Sequence, residues 1–277
     1  MSDRRTLLAR PDLADCRLEG LVRADRFAEV KAMRCIHPTA GVLEAPEDGS
    51  RQEDELLFGE GFDVLETRDG WLWGQARRDG YVGFVRAEAL SGQTDEPPTL
   101  RVGAVRTCGF RAPDLKSGVV AQLSIGSLIR PGERRDRFVD AGEGGWIFAA
   151  HLQGVGAFET DPASVAELFL GAPYVWGGRS SLGLDCSGLV QQALMATGRA
   201  CPRDTDQQFA VFEQPVERGA LTRGDLVFWK GHMGMMLDAD RMIHANAHHM
   251  AVAIEPVDEA LVRIEKAGVP FLGFRRP

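Results

Sequence analysis

At 277 residues, with 44% hydrophobic side chains, the chain can bury more than one core, and two or three domains are expected. Lysine and arginine number 32 against 40 aspartate and glutamate, a net charge of −8 that leaves no basic field to hold a nucleic acid. No window approaches the about 18 apolar residues of a membrane-spanning helix, so neither nucleic acid nor membrane is an expected partner.

In chain order, residues 1–30 read as a lead-in that packs on the segment after it, with a weak helical spacing at Phe27, Val30 and Met33. The opening reaches only Leu7, Leu8 and Ala9 before Arg10, Pro11 and Asp12 intervene, which is not the pattern of a secretory leader, so a soluble, cytoplasmic protein is expected. The five cysteines, 16, 35, 108, 186 and 201, are odd in number and widely spaced, with no C-x-x-C pair. That usage fits a reducing compartment, with Cys16, Cys35, Cys108 and Cys201 as buried structural thiols.

From about 31 to 153, short apolar runs alternate with turn residues. The clearest is "FDVLETRDGWLWGQARRDGYVGFVRAEAL", an antiparallel pattern with a central Asp-Gly turn. The texture comes twice: "VLEAPEDG" is similar to "GFRAPDLKSG", "LLFGEGFDVLE" to "AQLSIGSLIRP", and "GYVGFVRAEAL" to "GGWIFAAHL". The copies span 31–92 and 93–157 and are linked by "SGQTDEPPTL"; each suits a small five-stranded barrel.

A new domain, 158–277, opens with Asp161 as N-cap, Pro162 at the first helical position, a Val165, Leu168, Phe169 stripe and Gly171 as stop. Asp185 caps a second helix with apolar face Leu189, Val190, Ala193 and Leu194, ending at Gly198. "GDLVFWKG", "HMGMMLDAD", "RMIHANAH" and "GVPFLGFRR" then read as strands, an α+β order.

Cys186 falls at the start of that second helix, where free N–H groups and the helix dipole favour a thiolate and can bring a thiol from about 8.5 to as low as 3.5–7.5. Placement alone leaves it open between a nucleophile and a buried thiol. His232, at the start of an apolar strand among glycines, is the candidate base, although a lone strand-edge histidine is more often just exposed. His244 lies on the following strand, and antiparallel pairing brings two such imidazoles side by side, a base and its orienter. His244, His248 and His249 have H-x-x-x-H spacing, but "HANAH" lacks a zincin's glutamate, and no metal is expected. No Walker-A loop, G-x-S-x-G elbow or G-x-G-x-x-G is present, so nucleotide binding and serine hydrolysis have no support.

Together, "PYVWGGRSSLGLDCSGLV", "PRDTDQQ", "GDLVFWKGHMGMML" and "MIHA" resemble the NlpC-type cysteine peptidases of bacterial cell-wall metabolism over about 120 residues. The two repeats resemble tandem bacterial SH3-type modules. The resemblance implies an α+β fold, a papain-like catalytic domain preceded by two small SH3-like β-barrels. It implies Cys186 as nucleophile, His232 as general base, His244 as third member and Tyr174 as an oxyanion donor beside the Cys186 N–H. Trp176, Asp185, Ser187, Arg203, Asp204 and Thr205 would line the substrate cleft, and Asp204-Thr205 departs from the small polar pair of many relatives.

Members built this way cut free murein tri- or tetrapeptides after L-Ala-γ-D-Glu without a cofactor, in recycling of wall peptides. There the first module closes one end of the cleft. A buried substrate ammonium needs a carboxylate and hydrogen-bond partners, for which Asp204, Tyr81 and Glu55 are the candidates. The competing readings are an exported hydrolase of intact wall and a non-catalytic wall-peptide-binding protein.

Overall fold

The computed structural model describes residues 3–92 and 96–277; positions 93–95 of the linker "SGQTDEPPTL" lie outside the described residues. The chain divides into two compact units, Met1–Val155 and Gly156–Pro277.

The first unit begins with a seven-stranded sheet. Its strands are β1 (Lys31–Cys35), β2 (Thr39–Leu43), β3 (Gln52–Leu57), β4 (Gly61–Arg68), β5 (Trp71–Ala76), β6 (Val82–Arg86) and β7 (Leu90–Gly92), in spatial order β3-β2-β6-β5-β4-β1-β7. β4 and β5 meet at the expected Asp-Gly turn, where Asp69 and Gly70 both take positive φ, 50° and 80°, the geometry of a type I′ hairpin. The unbroken apolar look of "WLW" has a simple cause: β5 is covered on both faces. Leu72 and Ala76 join Phe62, Val64, Tyr81 and Val85 on one face, while Trp73 packs with Leu8 and Leu13 on the other.

The lead-in therefore packs on the sheet, as expected, but the helical spacing at Phe27, Val30 and Met33 is not a helix. Phe27–Ala28 pairs with Ala14–Asp15, and Met33 lies in β1, paired to β4 and β7. Two sheet partners outweigh a weak periodicity. Cys16 is exposed rather than buried, because it opens a one-turn 3₁₀ helix at the surface; Cys35 and Cys201 are buried and Cys108 is half-buried.

The second copy forms a five-stranded sheet, in which 106–110 lies between 119–124 and 146–148, and a three-stranded one centred on 100–102. Both copies end alike, as strand, 3₁₀ turn, strand: Val82–Arg86, Ala87–Ala89, Leu90–Gly92 and Trp146–Phe148, Ala149–His151, Leu152–Gly154. The copies share a core, since Phe58 of the first packs with Val102, Leu123, Ile129 and Ile147 of the second. Next to Phe58, Gly59 is obligatory: its φ is +79°, and a Cβ there would lie 2.0 Å from the Leu128 carbonyl oxygen.

The second unit is built on a six-stranded antiparallel sheet, β8 (Gln214–Val216), β9 (Leu226–Trp229), β10 (His232–Met236), β11 (Arg241–Asn246), β12 (Ala251–Pro256) and β13 (Phe271–Arg276), in order β8-β13-β9-β10-β11-β12. Its helices are α1 (Pro162–Glu167), α2 (Cys186–Ala196), α3 (Thr205–Val211) and α4 (Val257–Lys266).

Asp161 caps α1 through the Ala163 N–H, and the helix loosens after Glu167 into i→i+3 turns as far as Gly171, leaving Leu168 exposed and Phe169 buried. α2 runs as its caps dictate and packs on β10 and β11. α3 and α4 go beyond the expected order. Asp204 and Gln207 make a capping box for α3, and Val257, Ala260 and Ile264 seat α4 on a core with Trp229, Met236 and Met242.

Candidate active site

Cys186 is the first residue of α2, buried with 6% of its surface exposed. The turn before it is held by Asp185, whose Oδ1 accepts from the Gly188 N–H at 2.8 Å and whose Oδ2 accepts from the Gly177 N–H at 2.8 Å. Arg203 clamps the same carboxylate with both terminal nitrogens, at 2.9 and 2.7 Å, and donates to the Ser187 hydroxyl at 2.9 Å. Asp185, Ser187 and Arg203, expected to line the cleft, thus form a buried network that builds the start of the helix. Thr205, the first residue of α3, brings its hydroxyl to 3.8 Å from the Cys186 sulfur.

The sulfur also accepts from the Met233 backbone N–H, which ties it to β10 one residue beyond His232. β10 and β11 pair Met235 with Ile243 and Met236 with Met242, and continuing that register sets Gly234 opposite His244 and His232 on the diagonal. The two imidazoles accordingly meet, His232 Nε2 to His244 Nδ1 at 2.9 Å. Gly234 makes room for this, since a Cβ there would lie 3.1 Å from the His244 Cβ. Trp229, fully buried, stacks on His232 with ring centroids 5.6 Å apart and planes at 29°, fixing the ring orientation.

With its Nε2 engaged by His244, His232 has Nδ1 left for a second partner. His244 is fully buried, and its Nε2 lies 2.7 Å from Glu255 Oε1, which Arg263 of α4 also binds. Trp229 and Glu255 are the residues that sequence reasoning missed. Glu255 pairs with Met242 in a strand, "AVAIEP", that carries no motif.

The helix start does not lower the Cys186 thiol as expected. Burial, with the Asp185 charge next to it, pushes it up to about 11, against the pull of the Thr205 and Met233 hydrogen bonds. Burial and the neighbouring His244 push His232 down to about 3. Each partner therefore rests neutral. Tyr174, half-buried, has its hydroxyl raised by burial and by the Cys186 and Asp185 charges, which keeps it a hydrogen-bond donor. Trp176 is 55% exposed at the surface two residues on. Asp204 is half-buried at the cap of α3.

Tyr81 and Glu55 belong to the first unit, Tyr81 in the apolar cluster beneath the first sheet and Glu55 in β3 opposite Gly41. Among the described residues, His244, His249 and Glu255 bring ligand atoms within 4.8 Å of one another. Glu255 Oε1, however, already holds the Arg263 guanidinium, a resident cation that a metal would have to displace.

The family model described as the NlpC/P60 family matches residues 171–267, and that described as the bacterial dipeptidyl-peptidase Sh3 domain matches residues 42–90. Dipeptidyl-peptidase 6 of Lysinibacillus sphaericus is 33% identical over 244 residues, which cover 79% of this chain and 89% of the relative. The chain belongs to the NlpC/P60 family. It is a cysteine peptidase of that family carrying a bacterial SH3-type domain ahead of the peptidase domain.

A gamma-D-glutamyl-L-lysine dipeptidyl-peptidase of Bacillus subtilis (strain 168) is 32% identical over 117 residues, 39% of each chain. The crystal structure of a NlpC/P60 family protein from Bacillus cereus ATCC 10987 has the same fold, with a TM-score of 0.75 over 88% of this chain and 99% of that one at 19% identity.

Proposed function

We propose that the protein cleaves the γ-D-glutamyl-L-diamino acid bond of free peptidoglycan stem peptides that carry an unblocked N-terminal L-Ala, in cytoplasmic recycling of wall peptides. The observation that carries this reading is Cys186 at the helix start with the His232–His244 pair at 2.9 Å, in a chain aligned along 89% of a dipeptidyl-peptidase 6. The relatives named for γ-D-glutamyl-L-lysine bonds support the substrate class.

The Cys186 sulfur attacks the γ-amide carbonyl while His232 Nδ1 takes the thiol proton and passes it to the leaving amine. The Tyr174 hydroxyl and the Cys186 N–H receive the oxyanion. Water, deprotonated by His232, then hydrolyses the γ-glutamyl thioester. Trp176, Thr205 and the Asp185–Ser187–Arg203 network shape the cleft. Asp204, at the start of α3, supplies the carboxylate for the substrate ammonium. In this reading the peptidase domain is papain-like and spans 158–277, behind two SH3-like barrels at 31–92 and 93–157.

The test is incubation of L-Ala-γ-D-Glu-diaminopimelate, its N-acetylated form and intact sacculi with wild type and Cys186→Ala, following L-Ala-D-Glu by mass spectrometry. Release from the free peptide by wild type alone is expected. Turnover of the blocked peptide or of sacculi would replace this reading with that of a wall hydrolase, and absence of product from every substrate would reject it.

A further inference from the structure

The paired histidines can hydrogen-bond in either of two senses, and only one of them leaves a base. With the shared proton on His244 Nδ1, a neutral His232 carries its own proton on Nδ1, the nitrogen left for the thiol, and can accept nothing. With the shared proton on His232 Nε2, Nδ1 is free. The choice is made one strand further on.

β12 pairs Ala253 with His244, which sets Glu255 on the diagonal just as His232 stands diagonal to His244 from the other side. The three side chains therefore step across β10, β11 and β12 on one face of the sheet. An ionised carboxylate has no proton to donate, so where His244 Nε2 meets Glu255 Oε1 at 2.7 Å the proton is carried by Nε2. The His244 Nδ1 is then a lone pair, and His232 must donate from Nε2. Arg263 reaches the same oxygen from α4; against the upward push of burial, His244 first and then the Arg263 and His249 charges hold Glu255 below the usual carboxylate range.

We infer that Glu255, clamped by Arg263, is a positioning residue that fixes the tautomers of both histidines, leaving His232 Nδ1 as the base for Cys186 and balancing the imidazolium formed when that base takes the thiol proton. The inference rests on the proposed Cys186–His232 chemistry but not on the identity of the substrate.

Three readouts test it in the full chain: kcat and KM on the free peptide, the rate of Cys186 alkylation by iodoacetamide against pH with no substrate present, and the His232 tautomer by ¹⁵N NMR. Glu255→Gln, which can donate as well as accept, is expected to lower kcat and the neutral-pH alkylation rate by about 10- to 100-fold with KM little changed. It also moves the His232 proton toward Nδ1, whereas Glu255→Asp retains the wild-type tautomer. Arg263→Gln is expected to shift the same readouts in the same direction by less, and it decides the matter if Glu255→Gln does not fold. An unaltered tautomer and alkylation profile in folded Glu255→Gln would overturn the inference. Failure of wild type to cleave the peptide would remove the substrate reading alone, because alkylation and tautomer still report on Glu255.

Discussion

The place of Cys186 at a helix start and the meeting of His232 with His244 are legible in the sequence, because a capping aspartate marks the one and glycine-flanked neighbouring strands the other. Glu255 is not, because its only qualification is a diagonal across two strands that sequence does not display. The thiol's environment is not legible from the helix start either. A helix N-terminus favours a thiolate, but here the cap is itself an anion and the sulfur is buried, and the two effects together win. With the thiol at about 11 and His232 at about 3, the resting pair is neutral, so Cys186 alkylation by iodoacetamide should climb from neutral into alkaline pH. A rate plateau extending down to pH 5 would show a resting ion pair instead. Tyr174→Phe removes one donor to the developing oxyanion and should lower kcat by about 10²–10³ with little change in KM, as steady-state kinetics on the free peptide would read.

The helices divide by how local their signals are. Both capped helix starts, at Asp161 and Asp185, follow from single residues whose side chains bond the next turn. α3 and α4 carry signals too, the Asp204–Gln207 box and the Val257, Ala260, Leu261, Ile264 spacing, in segments that the expected order of two helices followed by strands leaves unassigned. The segment around Phe27 to Met33 failed in the opposite way, since pairing with distant strands overrides its spacing. The α2 cap also closes a buried charge pair: Asp185→Ala would leave the Arg203 guanidinium, 1% exposed, without its partner carboxylate. Loss of about 3–5 kcal/mol is expected from denaturant titration, against well under 1 kcal/mol for truncating Asp258, an exposed partner of Arg218.

At the scale of the molecule, the repeat was visible as two similar texts, and the structure gives them the same strand, 3₁₀ turn, strand ending. Their shared core through Phe58 was not visible, because nothing in the sequence says which side of a module meets its neighbour. Burial of neutral His232 and His244 also sets a pH response for the fold. Their folded values lie below the 6.5 of an unfolded histidine, so below pH 6.5 the unfolded chain binds more protons and stability falls as pH falls toward 3. The thermal midpoint should therefore drop from pH 7 to pH 4, and His232→Asn should flatten the drop; an equal slope in both would refute this origin.

The proposed reaction passes through a covalent bond between the Cys186 sulfur and the γ-glutamyl carbonyl carbon. Acid-quenching the enzyme during turnover of L-Ala-γ-D-Glu-diaminopimelate and mapping the adduct by mass spectrometry tests that bond directly. An L-Ala-γ-D-Glu thioester on the Cys186 peptide, formed by wild type and absent from Cys186→Ala, is the predicted result. Release of L-Ala-D-Glu by Cys186→Ala at the wild-type rate, with no adduct on wild type, would contradict it.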